Sequence, residues 1–217
     1  AAANDLSALI KDGELRGEAR VRALVALGEA SLGDGRFLQA AAVSAMAAEQ
    51  RGQLDEVWRQ RSIALEARVA LSLGDQERGF ELLGTLCKEI ITNGPARDRK
   101  TLLDRLCAAG GHPALRLLVL GLPFGEESCS LDLLQSIARF DHPLAEGALR
   151  EIVYRSNVGP VRETEAGGAL RALVRQNTER GTDVCMQVVE SRSWGLPRYR
   201  RQLRELARQA LVMEDGP

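Results

Sequence analysis

The chain has 217 residues, of which 45% are hydrophobic and only 4% aromatic, and its formal net charge is −1. The apolar content is sufficient for the core of one elongated domain or two small ones, whereas the near-neutral charge excludes a global field that would draw the protein to nucleic acid or an acidic membrane. No apolar stretch approaches the ~20 residues that span a bilayer, and the most apolar run, Leu115–Leu122, is predicted to be a buried helix.

The composition favours helices throughout. Alanine, leucine, arginine and glutamate dominate, whereas the β-branched and aromatic residues that favour strands are scarce. We therefore predict an all-α fold. Because the connections are short, consecutive helices are expected to pack antiparallel. Helices are predicted at residues 5–12, 17–32, 36–50, 54–73, 76–92, 97–109, 113–121, 130–139, 143–156, 160–177, 181–192 and 197–213.

A glycine-centred turn occurs twice in the first half of the chain, at Gly33–Gly35 and at Gly74. Small and apolar residues surround each turn at matching positions, and small side chains allow two helices to approach closely. These residues are Leu24, Gly28, Phe37, Ala40 and Ala47 in the first copy and Ala67, Gly79, Leu83 and Leu86 in the second. The pattern resembles the tetratricopeptide repeat over about residues 18–92, although Gly35 and Gly74 are 39 residues apart and the family's usual period is ~34.

A different pattern follows, in which a proline opens a helix and small residues precede a leucine. It occurs from Pro143 to Leu149 and from Pro160 to Leu170, with a weaker copy at Pro113. These residues resemble the HEAT-type repeat over about residues 111–177, and the resemblance implies that the helix after each proline lines a concave surface. Both patterns together predict a short right-handed α-solenoid of helix hairpins. Its tetratricopeptide-like hairpins would occupy residues 1–110, and its HEAT-like hairpins with a C-terminal capping helix would occupy residues 111–217.

The sequence contains no recognisable catalytic or metal-binding motif. Its two histidines, His112 and His142, each stand directly before a proline and are predicted to make polar contacts at helix starts. The positions predicted to face inward carry alanine and leucine rather than the repeated carboxylates of a di-metal site. We therefore predict a non-catalytic protein without catalytic residues, metal or cofactor.

The cysteines indicate a reducing compartment. None of the four has a CxxC spacing, and free cysteine on an apolar helix face behaves as a small hydrophobic residue. They are Cys87, Cys107, Cys129 and Cys185. The opening Ala1-Ala2-Ala3 does not resemble a signal peptide, so we predict a cytoplasmic protein. Disulfides and an exported form remain the alternative, since the number of cysteines is even.

Two surfaces are candidate binding sites. The first is Trp58 with Arg59 and Arg61, because tryptophan beside arginine is typical of binding hot spots; alternatively Val57, Trp58 and Leu65 belong to the core with Arg61 lying along it. The second is the last helix, where arginines oppose an apolar stripe of Tyr199, Leu203, Leu206, Ala210 and Leu211. These arginines are Arg198, Arg200, Arg201, Arg204 and Arg208. They could bind an acidic partner protein or phosphates, or form the polar outer face that a terminal repeat needs.

The pattern as a whole favours a scaffold or adaptor that binds a peptide or helix of another protein, with an acidic or amphipathic segment as the expected partner. The groove floor would be Ala40, Ala41, Ser44 and Ala48, and arginines would recognise acidic groups at its rim. The alternative is a nucleic-acid-binding or DNA-repair protein on a HEAT-like frame. In that case Arg200, Arg201 and Arg204 would contact phosphates and Asp141 would be catalytic. A regulatory fragment of a longer protein is a third hypothesis, and no membrane partner is expected.

Overall fold

The computed structural model describes residues 15–123, 127–158, 162–190 and 197–212. Every regular element within these ranges is helical, so the predicted all-α class is confirmed. The elements are α1 (Gly17–Gly33), α2 (Phe37–Glu49), a 3-10 turn (Arg51–Gln53), α3 (Glu56–Ser72), α4 (Gln76–Asn93), α5 (Ala96–Ala109), α6 (Gly111–Leu120), α7 (Leu131–Ala138), α8 (Pro143–Val158), α9 (Glu163–Gln176), α10 (Thr178–Glu190) and α11 (Pro197–Val212).

Turn and capping residues account for the helix ends, which lie within about three residues of their predicted positions. Gly35 and Gly74 adopt φ values of 74° and 88°, a conformation that glycine enters without steric cost. Asp55 and Ser130 accept hydrogen bonds from the backbone N–H groups of Trp58 and Leu133, which otherwise lack partners at a helix start. The helix predicted at 5–12 lies outside the described residues.

The chain divides into two compact units, Ala1–Leu86 and Cys87–Pro217, which we call the N-terminal and C-terminal units. The boundary falls within α4. The division predicted at residue 110 followed a change of repeat pattern, and it stays a prediction, as does the right-handed solenoid. No helix in the described ranges has the length and apolar character needed to cross a bilayer.

The core of the N-terminal unit forms where α1 packs against α2 and α3. Val21 and Leu24 of α1 meet Leu65 of α3 in this core. A Cβ atom at Gly28 would lie 2.6 Å from Cδ2 of Leu65, so the predicted close helix contact at Gly28 is confirmed. Ala40 is also fully buried.

In the C-terminal unit, α9 is the central helix and packs against α7, α8, α10 and α11. Most of its residues from Glu165 to Val174 are buried. A Cβ atom at Gly168 would lie 2.6 Å from Cδ2 of Leu131 on α7, so the small residues of the HEAT-like pattern lie at a helix contact. The predicted burial of the apolar run is confirmed for Leu115, Leu118 and Leu122, which are at most 1% exposed, but not for Leu120, which is 42% exposed.

All four cysteines are free, and each belongs to the C-terminal unit. Cys87, Cys129 and Cys185 are buried, whereas Cys107 is half-buried. Burial raises the pKa of Cys87 to about 11. Burial, with a further contribution from the Glu165 carboxylate, raises the pKa of Cys129 to about 11. Both thiols are therefore protonated at neutral pH and act as small apolar groups.

Candidate functional site

A groove of about 390 Å³ runs along α2 and α3 in the N-terminal unit. Its floor carries small apolar side chains because α2 is rich in alanine, and the space that larger residues would fill is left open. Ala41, Ser44, Ala45 and Ala48 come from α2, and Val69, Ala70 and Leu73 come from α3. Three predicted floor residues therefore line the groove. The prediction for Ala40 is wrong, because its position on α2 turns it into the core, where it is fully buried.

Ser44 is the one hydroxyl on the groove floor. It is 3% exposed, and its Oγ has no hydrogen-bond partner among the described residues. Other helical serines, such as Ser72 and Ser156, donate to the carbonyl four residues earlier. A buried hydroxyl without a partner is unfavourable by about 1–3 kcal/mol. The groove therefore holds an unmet polar group in an apolar floor.

Exposed apolar surface lies within the groove on α3 and continues past it on α2. Leu73 at the end of α3 is 49% exposed, and Leu38 at the start of α2 is 80% exposed. Leu38 lies one turn before Ala41 and two turns before Ala45, so it shares their face of the helix. The unit thus exposes an elongated apolar strip rather than isolated surface leucines.

The rim of the groove is acidic. Among the described residues, Glu49, Glu66 and Asp75 line it with a single cation, Arg78. Glu66 is the centre of an ion-pair network: Arg51 donates to one of its oxygens and Arg78 donates to the other at 2.7 Å. Although burial opposes the shift, these bonds lower the pKa of Glu66, so the carboxylate stays charged. The predicted arginine rim is therefore wrong, because carboxylates outnumber guanidinium groups there and the one rim arginine is paired.

Sequence reasoning missed Glu66 because its partners are distant along the chain. Arg51 precedes it by 15 residues and Arg78 follows it by 12, whereas local charge rules consider residues three or four apart. The match between Glu18-Ala19-Arg20-Val21 and Glu66-Ala67-Arg68-Val69 marks this position but does not show its partners.

Trp58 is half-buried and packs against the core of the N-terminal unit. Two guanidinium groups cover its ring, with the Arg61 carbon 4.7 Å and the Arg22 carbon 5.5 Å from the ring centre. Arg61 also donates to Glu29 at 2.7 Å. Arg59, outside this stack, pairs with Glu56. The arrangement agrees with the alternative of a core tryptophan with an arginine lying along it, and the binding role of this cluster stays a prediction.

Val57 does not belong to the core, contrary to that same alternative, since it is 71% exposed. It is the second residue of α3 and precedes Trp58. Neighbouring helix residues point about 100° apart. Because Trp58 faces the core, Val57 is directed to solvent.

The last helix has the predicted two-sided character. Leu203, Ala207 and Ala210 are buried, whereas Arg201 and Arg208 are exposed. Arg200 and Arg204 are half-buried, so the predicted opposition of the arginines to the apolar stripe is less complete at these two positions. Arg208 lies 3.7 Å from Glu205. The side chain of Arg198 lies outside the described residues.

The two histidines lie together in the C-terminal unit, with ring centres 5.3 Å apart. Nδ1 of His142 accepts a hydrogen bond from the N–H of Leu144 at 3.1 Å. This bond confirms the predicted polar contact at the start of α8. Within the described ranges, no three His, Cys, Asp or Glu residues lie close enough to hold a metal ion. Asp141, the carboxylate of the alternative hypothesis, is exposed.

No protein-family model matches this chain, and the comparisons with curated proteins and with solved structures find no match either. The tetratricopeptide-like and HEAT-like resemblances therefore stay predictions.

Proposed function

We propose that the N-terminal unit is a non-catalytic protein-binding module, and that the groove along α2 and α3 binds an amphipathic helix of a partner protein. The observation that carries this proposal is the apolar groove with an unpartnered Ser44 hydroxyl on its floor. An apolar helix face would cover the floor together with the exposed Leu38 and Leu73. A polar side chain of the partner would supply the missing hydrogen bond.

A helix suits this groove better than an extended strand. Strand addition needs an exposed sheet edge, whereas the described part of the N-terminal unit is helical. Helix axes pack 8–10 Å apart, and the shortest of these distances need small side chains at the contact, which Ala41, Ala45 and Ala48 provide. The bound segment would present anchors at positions i, i+3 or i+4, and i+7.

The rim determines the charge of the partner. Glu49 and Asp75 flank a groove whose single arginine is bound to Glu66. A lysine or arginine at the edge of the incoming helix would therefore be favoured. We thus replace the acidic segment expected from the sequence with a basic amphipathic one.

The proposal is tested by blocking the groove. Ala45 lines the groove and is exposed, whereas Ala42 lies on the same helix, is exposed and does not line it. Affinity capture with quantitative mass spectrometry would compare the wild type, Ala45→Trp and the matched control Ala42→Trp. A photo-crosslinker at Ala48 would identify the bound segment. We expect a basic amphipathic helix that Ala42→Trp retains and that Ala45→Trp loses at least about tenfold.

The protein-binding proposal is wrong if Ala45→Trp and Ala42→Trp retain the same proteins to the same extent. It is also wrong if the crosslinked segment is acidic or lacks helical spacing of its apolar residues. Both substitutions are at exposed positions, so thermal melting should show that both variants are folded.

A second candidate function is nucleic-acid binding by α11, favoured by the exposure of Arg201 and Arg208. The helix also carries Glu205 near Arg208, which weakens its positive field. Phosphate contacts would make binding fall steeply with salt. A gel shift with random DNA or RNA at low and physiological salt tests this candidate.

A further inference from the structure

The C-terminal unit contains a second cavity, a cleft of about 410 Å³ between α7 and α9, which the proposed groove does not involve. Three arginines line it: Arg139 follows α7, while Arg171 and Arg175 are one turn apart on α9. Gln135 contributes the remaining polar side chain, and no carboxylate among the described residues lines the cleft. Its polar groups are therefore all potential donors, and their summed charge is positive.

These arginines differ from two neighbours in the same unit, Arg150 and Arg180. None of the three takes part in an ion pair with any described carboxylate, although Arg150 and Arg180 of the same unit pair with Glu146 at 2.9 and 3.4 Å. Three like charges lining one cleft without a counter-ion repel each other. The arrangement is stabilised when an anion enters the cleft.

The two helices that form the walls of the cleft are closely packed. A Cβ atom at Gly168 would lie 2.6 Å from Cδ2 of Leu131 and 3.0 Å from Cδ1 of Leu134, so α7 and α9 are in close contact. Leu134 and Ala172 belong to the buried core of the unit. The core therefore positions both helices that carry the arginines, and little ordering is needed when a ligand binds.

We propose that this cleft binds a small organic phosphate monoester. One arginine already satisfies a single carboxylate through a two-pronged contact, whereas three guanidinium groups and an amide provide more donors than a carboxylate accepts. A phosphate dianion carries more charge and three terminal oxygens. Its organic part would lie against Ala172 and the neighbouring apolar wall. The volume falls within the range of small-molecule sites, ~300–1,000 Å³.

One feature opposes an anion in this cleft. Arg139 marks the C-terminal end of α7, where the helix dipole contributes about half a negative charge. Three full positive charges line the same space. The arginines therefore dominate the field that a ligand meets.

Calorimetric titration with phenyl phosphate tests the proposal, with inorganic phosphate and benzoate as comparison ligands. Arg139→Gln and Arg175→Gln change exposed cleft residues, and Arg171→Gln completes the set. Gln135→Glu introduces a carboxylate that would compete with the ligand. Arg105→Gln is the matched control, because Arg105 is exposed on α5 and outside the cleft.

We expect each cleft variant to lose about tenfold to hundredfold in affinity for phenyl phosphate, and Arg105→Gln to retain it. Benzoate should bind at least about tenfold more weakly than phenyl phosphate. The proposal is overturned if the wild type does not bind phenyl phosphate or if Arg105→Gln loses as much affinity. Tighter binding of a single-stranded oligonucleotide that depends on the same arginines would also overturn it, in favour of nucleic acid. Melting curves would confirm that the exposed-residue variants are folded.

Discussion

The two units differ in how they use arginine. In the N-terminal unit, Arg51 and Arg61 are bound to carboxylates of the same unit, so they stabilise the fold and leave the groove apolar with an acidic rim. In the C-terminal unit, Arg139, Arg171 and Arg175 line a cleft without any described carboxylate in pairing distance. The same residue type thus pairs with carboxylates around the groove unit and lacks such a partner in the cleft. Arginine content alone does not locate a binding site.

Two glycines at helix contacts, one in each unit, differ in what they meet. Gly28 of the N-terminal unit lies against the end of a leucine side chain, whereas Gly181 of the C-terminal unit lies against backbone atoms of α9. A leucine terminus can rotate, but packed helical backbone cannot move without disturbing the core. Gly181 should therefore be less tolerant of an added methyl group than Gly28.

The largest expected effect is that of Gly181→Ala. The new Cβ would lie 2.4 Å from Cα of Val174 and 2.5 Å from the carbonyl oxygen of Leu173, so α9 and α10 would have to separate. We expect a loss of about 3 kcal/mol or more in the free energy of unfolding, measured by urea denaturation. Gly147→Ala is the control, since Gly147 of α8 has no neighbour within 4 Å of its Cβ position. Gly147→Ala should raise the free energy of unfolding by about 0.5–1 kcal/mol. Equal stability of the two variants would contradict the close contact.

The buried thiols should make stability fall at alkaline pH. Because Cys87 and Cys129 have a pKa of about 11 in the folded protein against a usual 9.0, the unfolded chain loses these protons first as the pH rises. The contribution is intact below pH 9 and is lost between pH 9 and about 11, by roughly 2–3 kcal/mol for each thiol. Urea denaturation of the wild type and of the double Cys→Ala variant at both ends of this pH range would measure the loss of stability. The prediction is wrong if the free energies of unfolding of the two proteins change in parallel with pH.

Gly28→Leu should destabilise the N-terminal unit by about 1–3 kcal/mol. The added side chain meets Leu65, which is 1% exposed. Gly33→Leu is the control, because Gly33 lies on the same helix and has no neighbour within 4 Å of its Cβ position. It should lower the stability far less. Thermal melting of the two variants compares a packed position with an open one, and indistinguishable melting temperatures would mean that α1 and α3 do not approach as described.

Glu66→Gln should cost about 1 kcal/mol at neutral pH, because the uncharged amide keeps one acceptor oxygen, so one guanidinium hydrogen bond is lost and the other is weakened. Because the pKa of Glu66 is lowered in the folded protein, its ionised carboxylate stabilises the fold at pH values above the pKa of glutamate in the unfolded chain. This stabilisation is lost as the pH falls through the lower pKa of the folded protein. Glu56→Gln, at an exposed pair with Arg59, is the control and should change little. The difference between the variants should shrink in acid, and a difference that is constant from pH 7 to pH 3 would contradict the role of the network.

The smallest effect on stability is expected for Arg201→Glu with Arg208→Glu. Both residues are exposed, and such surface changes usually stay within about 0.5 kcal/mol. Extending the charge reversal to Arg200 and Arg204, which are half-buried, should lower the free energy of unfolding further. If α11 binds nucleic acid, the exposed pair alone should abolish a gel shift while melting is unchanged. An unchanged shift would leave α11 as a cap on the C-terminal core.

Most of the secondary structure could be predicted from the sequence. Asp55, Gly35 and Gly74 act within a few residues of themselves, so helix ends can be inferred locally. The close contact at Gly28 could also be inferred, because a small residue inside a helix suggests a neighbouring helix. The partner of that contact, Leu65, could not be identified from local pattern.

The candidate sites depended on tertiary structure. Small residues on α2 predicted a groove, but the orientation of α2 turned Ala40 into the core and left Ala41 in the groove. The acidic rim arises from pairing of Glu66 with Arg51 and Arg78 across many residues. The arginine cleft forms because α7 and α9, separated by α8, pack against each other. The sequence by itself determined where helices begin and end, since capping and turn energies are local. Which side chains share a surface was decided by packing, which joins residues that no short-range pattern connects.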